Sequence, residues 1–322
     1  MAFEKTVMVP LDAEETFALI TQPDRLRRWQ VITARVDLRA GGDYRWTIIP
    51  GHSVAGTFTE VEPGRRVIFT WGWEGSADLP PGASTVIITL EPASGGTLVH
   101  LVHEGLTDEQ AASHADGWNH YLGRLVKAST EGDAGADEWA ASATLDPITA
   151  AEAALAICQR VLRRISASDY HNPTVCTEFD VTELVGHLIE NVRFLGTVAG
   201  ADFGPDEGSA LEARVAAAAQ VTLEAWQARG LAGEVKVGPH EMPAGAALGI
   251  GSIEFLVHAW DLARATGQQV TAPDELNEYI LGIAGKIITP EVRAGGSFAD
   301  PVQAGPDAGA LDRLIAFTGR SI

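Results

Sequence analysis

The stretch Ile253–Gln268, IEFLVHAWDLARATGQ, decides how the second half of this chain is read. Most of it is apolar enough for a core helix, yet it carries Glu254, His258 and Asp261. At about 100° per residue these three and Ala265 fall on one narrow stripe, with the large apolar side chains elsewhere. A helix that is apolar on its remaining faces belongs inside a bundle. The stripe then faces either one thin seam of solvent or an interior site. Glu254 and His258 are four residues apart, so their side chains lie one turn from each other and can share a metal ion. The same spacing also suits a plain solvated ion pair, and on spacing alone that pair is the commoner outcome.

Two helical ligands rarely suffice, and a third is expected from a neighbouring helix. Asp180 and Glu183 have the spacing of a capping box and start a helix over VTELVGHLIENVRFLGTVAG. Its apolar face is Val181, Leu184, Val185, Leu188, Val192 and Leu195; His187 borders that face and is the candidate third ligand. Asn191, one turn further on, can orient it. Histidine, glutamate and histidine with one coordination place left open is a catalytic zinc pattern, and water or a thiol in that place becomes acidic. Asp261 is either a partner that holds His258 in one tautomer or a bond to nearby backbone. His240 in GPHEMP and the glycine-rich loop 200–210 are lesser candidates beside the site. Cys176, before the second helix, reads as a small apolar or loop residue more readily than as a reactive thiol.

Around these helices lie three more with short connections. Asp146-Pro147 supplies an N-cap and a proline at the first helical position for a helix through about Ile165. LEARVAAAAQVTLEAWQAR and DELNEYILGIAGKII follow the same periodicity. The second half therefore reads as helices only, in an antiparallel up-down four-helix bundle.

Before residue 130 the character changes. FEKTVMVP, ITARVDLR, GDYRWTII, SVAGTFTEV, RRVIFTWGW, STVIITLEP and TLVHLVHEG alternate as strands do, with EPG and ASGG as turns. Asp12 and Glu15 begin a helix between the first two strands, and a last helix spans residues 108–128 with Trp118, Leu122, Leu125 and Val126 on one face. A curved antiparallel sheet around that helix leaves a cavity, and Trp46, Trp71, Trp73, His103 and Trp118 are its candidate lining, with Tyr121 and His120 nearby. In such a fold an aromatic residue serves the core more often than a ligand. The segment 129–145, acidic and rich in Ala and Gly, reads as a linker, giving domains at 1–128 and 146–322.

Composition narrows the function. The chain has 322 residues, 46% of them hydrophobic, with a formal charge of −20. That charge argues against nucleic acid and anionic membranes as partners. No apolar run reads as long enough to cross a bilayer, and MAFEKTVMVP has no signal-peptide pattern. Two cysteines make no disulfide framework, and a cytoplasmic location is expected.

The first half resembles the START-like (SRPBCC) helix-grip superfamily, in the branch named after an activator of a chaperone ATPase. GTFTEVEPGRRVIFTW (56–71), GGTLVHLVHEGL (95–106) and GWNHYLGRL (117–125) carry the likeness. It implies an apolar cavity for a small ligand. Residues 146–322 resemble the DinB-like, mycothiol-dependent maleylpyruvate isomerase-type superfamily of actinobacteria, through TVCTEFDVTELVGHLIEN (174–191), MPAGAALGIGSIEFLVHAWDLARATGQ (242–268) and GALDRLIAFTGR (309–320). That likeness implies a divalent metal, zinc, on His187, Glu254 and His258, and mycothiol as a co-substrate. The expectation is a metal-dependent transferase or isomerase acting on a small organic molecule, with a ligand-binding first domain. The alternatives are a non-catalytic binding or stress-response protein with a structural metal, and a co-chaperone.

Overall fold

The computed structural model describes residues 2–140, 144–205, 208, 210–296 and 298–322. They divide into two units, residues 1–140 and 141–322. Residues 141–143 of the expected linker, and 206, 207 and 209 of the glycine-rich loop, lie outside the described residues.

In the first unit, β1 (Phe3–Val9), β2 (Thr33–Val36), β3 (Asp43–Ile49), β4 (His52–Glu62), β5 (Arg66–Trp71), β6 (Ser84–Ala93) and β7 (Gly96–Glu104) form one seven-stranded sheet in the order β1-β7-β6-β5-β4-β3-β2. Every pairing is antiparallel, and register shifts at Thr47/Ile49 in the β3–β4 pair and at Phe58/Glu60 in the β4–β5 pair, the kind of irregularity that bends a sheet. Two helices, α1 (Ala13–Thr21) and α2 (Pro23–Leu26), sit between β1 and β2, and α3 (Asp108–Glu131) follows β7. Asp12 caps α1 as its sequence position suggests, accepting from Glu15 N at 2.9 Å. Alternation buries Val67, Phe69 and Trp71 on β5, Val86, Ile88 and Leu90 on β6, and Val99, Leu101 and His103 on β7. Trp118, Leu122 and Leu125 of α3 complete this core.

The helix expected to stop at residue 128 runs to Glu131, and the chain to Ala140 stays with the first unit. Gly132, at φ 81°, turns the chain in the left-handed region that favours glycine. Arg124 then holds the returning segment by donating to the carbonyls of Gly135 and Ala136 at 2.9 and 3.0 Å. His120 stacks on Trp139 with centroids 4.2 Å apart and bonds Asp137 at 2.8 Å. An acidic, Ala/Gly-rich composition concealed these contacts.

The second unit is built on α4 (Pro147–Leu162), α5 (Val181–Val198), α6 (Leu211–Arg229) and α7 (Ala244–Ala265). Asp146 caps α4 and Asp180 caps α5, each in a full capping box. Helix α4 packs on α7 and α6, and α5 on α6 and α7. The order around the core is thus α4, α7, α5, α6, and the α4–α5 and α6–α7 connections cross the bundle instead of joining neighbours. The second half is not helices only. A hairpin of β8 (Glu234–Val237) and β9 (His240–Pro243) leads into α7, its strands too short and too rich in Glu, Lys and Pro to read as such. Then come α8 (Asp274–Ile287), α9 (Pro290–Ala294) and α10 (Ala310–Phe317). By length and composition α7 is apolar enough to cross a bilayer, which corrects the sequence reading; most of it is buried among the other helices.

Candidate metal centre

Helices α5 and α7 are neighbours in the bundle, and this brings His187 to Glu254 and His258. One donor atom from each of the three lies within 4.8 Å of the others. His258 Nε2 is 3.3 Å from Glu254 Oε2. Donors around a tetrahedral zinc, with bonds of about 2.0–2.1 Å, stand about 3.3 Å apart. Two nitrogens and a carboxylate oxygen are a ligand set that zinc accepts, so the residues fit the ion. Among the described residues, no fourth histidine, cysteine or carboxylate joins this group.

The stripe on α7 is no solvent seam. Asp261 is fully buried, His258 nearly so, and the Glu254 side chain is 11% exposed. His258 Nδ1 is 3.0 Å from Asp261 Oδ2. A carboxylate oxygen only accepts, so each ring nitrogen of His258, facing a carboxylate, has the geometry of a donor. Burial disfavours the charged ring, but bonds to Asp261, Cys176 and Glu254 outweigh it and hold His258 well above its ordinary pKa of 6.5. Burial likewise pushes Glu254 up, and hydrogen bonds and charge from His258, with the Asn191 amide, bring it below the usual value.

Asn191 touches both helices: its Nδ2 donates to His187 Nε2 at 3.0 Å and to Glu254 Oε2 at 2.9 Å. Phe179 stacks on the His187 ring at 5.0 Å.

Arg320 was not singled out from the sequence. It reaches Asp261 with two parallel bonds, Nε to Oδ1 and Nη2 to Oδ2, both 2.7 Å. Gly319, at φ 88° and packed against Ala299, turns the chain after α10 so that the guanidinium enters. Its only sequence signal was that an acid buried on a core helix needs a cation. Cys176 also comes close, its Sγ 3.4 Å from Asp261 Oδ2 and 3.5 Å from Arg320 Nη2. The Asn172 amide, donating to Ala265 O at 3.0 Å, ties that loop to the end of α7. Cys176, His258 and Asp261 form a second cluster of possible ligands, but Arg320 already supplies the cation there. His240 is exposed on β9.

In the first unit, Trp46, Trp71, His103 and Trp118 are nearly or fully buried, and Trp73 partly so. Trp71 lies 5.3 Å from Trp118, 5.8 Å from Trp73, 5.8 Å from His103 and 6.4 Å from Trp46, centroid to centroid. Trp118 Nε1 donates to His103 Nδ1 at 3.0 Å, which leaves Nε2–H to donate to Ser84 Oγ at 2.9 Å. Among the described residues, the indole N–H groups of Trp46 and Trp71 have no partner. His114, unremarked in the sequence, packs on His103 at 5.0 Å and accepts from Trp73 Nε1 at 3.3 Å.

Two family descriptions match this chain. "Activator of Hsp90 ATPase homolog 1-like protein" covers residues 10–130 and "Mycothiol maleylpyruvate isomerase N-terminal domain" residues 151–263. The uncharacterized proteins MT0763 and Rv0738, from two strains of Mycobacterium tuberculosis, are each 30% identical over 181 residues, 55% of this chain and 100% of theirs. Among solved structures, DynU16, from the dynemicin biosynthetic locus, is 22% identical with a TM-score of 0.39, over 43% of this chain and 50% of that one. The AHSA1-like protein from Aeromonas hydrophila is 23% identical with a TM-score of 0.34, over 41% of this chain and 94% of that one.

Proposed function

We propose, for a chain that belongs through its second unit to the mycothiol maleylpyruvate isomerase N-terminal domain family and through its first to the activator of Hsp90 ATPase homolog 1-like family, that the second unit is a zinc-dependent centre for chemistry on a small organic molecule. Its co-substrate is a low-molecular-weight thiol of the mycothiol kind, and the reaction is a transfer or an isomerisation. The observation that carries the reading is the donor set itself: His187, Glu254 and His258, from two adjacent helices, with donor atoms within 4.8 Å and one pair at a tetrahedral spacing of 3.3 Å.

His187 Nε2, Glu254 Oε2 and His258 Nε2 would hold the ion. Bound there with a place open, zinc supplies acidification of a water or thiol and polarisation of an electrophile. The chain's own part is to orient. Asp261 accepts from His258 Nδ1–H and so directs Nε2 into the site. Arg320 neutralises Asp261 through both carboxylate oxygens and fixes its plane. Phe179, stacked on His187, limits how that ring turns. In the first unit the indole N–H groups of Trp46 and Trp71, without partners among the described residues, are donors that a carbonyl on an apolar ligand would satisfy.

The test is elemental analysis of untagged protein prepared without chelators, beside the His258→Ala variant. About one zinc per chain is expected in the wild type, and none in the variant. A wild type without zinc that takes up none on addition overturns the reading.

A further inference from the structure

The amide of Asn191 occupies an unusual position. One nitrogen, Nδ2, donates both to His187 Nε2 on its own helix and to Glu254 Oε2 on the helix opposite. The orientation of this amide is dictated by chemistry: a carboxylate oxygen cannot donate, so the NH₂ end and not Oδ1 must face Glu254. The same nitrogen obliges His187 Nε2 to accept, which puts the ring proton on Nδ1. His187 Nε2 has a single lone pair, and Asn191 occupies it; Glu254 Oε2 has two, and the other faces His258 Nε2 at 3.3 Å.

We propose that Asn191 is a placeholder for the metal. One of its N–H groups and the ion compete for the single lone pair of His187 Nε2, while the other N–H shares Glu254 Oε2. With the ion bound, the amide would give up His187 Nε2 and keep only Glu254. The placement supports this: His187 and Asn191 are four apart on α5, so the amide sits one turn along, beside the site rather than behind it. This assigns Asn191 a different role from Asp261, which stands on the far side of His258 and donates nothing to a ligand lone pair. The inference rests on the zinc reading above.

The sign of one affinity change separates the two roles. A residue that only supports ligands costs about 10–100-fold in metal affinity when removed. A competitor, when removed, raises it. In full-length protein stripped of metal, zinc affinity is measured by competition with a chromophoric chelator for wild type and Asn191→Ala. The expected result is tighter binding in the variant by about tenfold at most, the order of one net hydrogen bond. Equal or weaker binding in a folded variant overturns the placeholder and leaves the zinc reading intact; a wild type that binds no zinc overturns both. A second measurement needs no variant to fold well. The side-chain amide signals of Asn191 in ¹⁵N-labelled wild type should move on addition of one equivalent of zinc and exchange faster with water. Signals that do not move while zinc binds overturn the proposal.

Discussion

His103 in the first unit and His258 in the second are both buried histidines, and their pKa values move in opposite directions from the ordinary 6.5. Burial pushes His103 down to about 3, helped by the neighbouring His114. Burial pushes His258 down as well, yet its pKa ends well above 6.5. The difference lies in the partners. His103 has an indole N–H on one nitrogen and a serine hydroxyl on the other, both neutral, and that hydroxyl in turn donates to Trp71 O at 3.1 Å. His258 has a carboxylate on each side. Loss of solvent sets a penalty on charge, and the side chains that replace the solvent decide whether the charge persists. A histidine satisfied by neutral partners is a structural strut. One held charged between carboxylates can exchange a proton for a metal ion.

The largest expected effect is on the charged side of this contrast. Asp261 is fully buried, and Arg320 is its bidentate partner. Arg320→Ala leaves that carboxylate with only His258 and Cys176, and breaking a buried pair by removing one member costs about 3–5 kcal/mol. Urea unfolding of the second unit should show a loss of that size. A loss below about 1 kcal/mol would mean that Asp261 does not depend on the guanidinium, and the charged cluster would then need another source of compensation.

Acid should separate the two units by about 2 kcal/mol. For His103 the folded pKa lies below the unfolded value of 6.5, so its contribution is complete above pH 6.5 and is lost as the pH falls towards 3. Between pH 6.5 and 5 that loss is about 2 kcal/mol, at about 1.4 kcal/mol per pH unit. His258 has the opposite sign: its raised pKa gives stability that is complete below 6.5 and is lost as the pH rises through the folded value. Glu254 and Asp261, both lowered, give stability present above their ordinary values of 4.5 and 3.8 and lost as the pH falls through the lowered ones. From pH 6.5 to 5, in protein stripped of metal, the second-unit cluster is at full strength while the first unit weakens. Six of the 8 tryptophans, at 29, 46, 71, 73, 118 and 139, lie in the first unit, so indole fluorescence during urea unfolding reports chiefly on it. Equal weakening of both units would sink the contrast.

The parts of the molecule that could be read from sequence are those set by local rules. Alternation located the strands of the sheet, and Asp146-Pro147 and the Asp180/Glu183 pair located two helix starts, because caps and pleats act over a few residues. The four-residue spacing put Glu254 and His258 on one face of α7 for the same reason. What stayed hidden depends on distant residues. Arg320 is 59 positions from Asp261, and Cys176 is 85. The segment 133–140 is held by Arg124 and His120, whose grip leaves no mark on its composition. The β8–β9 hairpin pairs strands of only four residues, the shortest run over which alternation can be read, and Glu, Lys and Pro fill much of them. The order of the bundle helices was hidden too, because two of its connections skip a neighbour.

The smallest expected effect sharpens the contrast most. If His258 is held as an imidazolium between Glu254 and Asp261, zinc must displace the Nε2 proton, while Nδ1–H stays with Asp261. About one proton should therefore leave with each zinc bound at pH 6–7, and the apparent affinity should fall about tenfold, or 1.4 kcal/mol, per pH unit below the pKa of His258 in the metal-stripped protein. Titration calorimetry in two buffers of different ionisation enthalpy counts that proton directly. His103, already neutral above about pH 3, contributes nothing to the count. Zinc uptake with no proton released, and an affinity flat from pH 6 to 8, would mean that His258 is neutral before the ion arrives. Two carboxylates would then fail to outweigh burial, and the opposition between the two histidines would be one of degree rather than of sign.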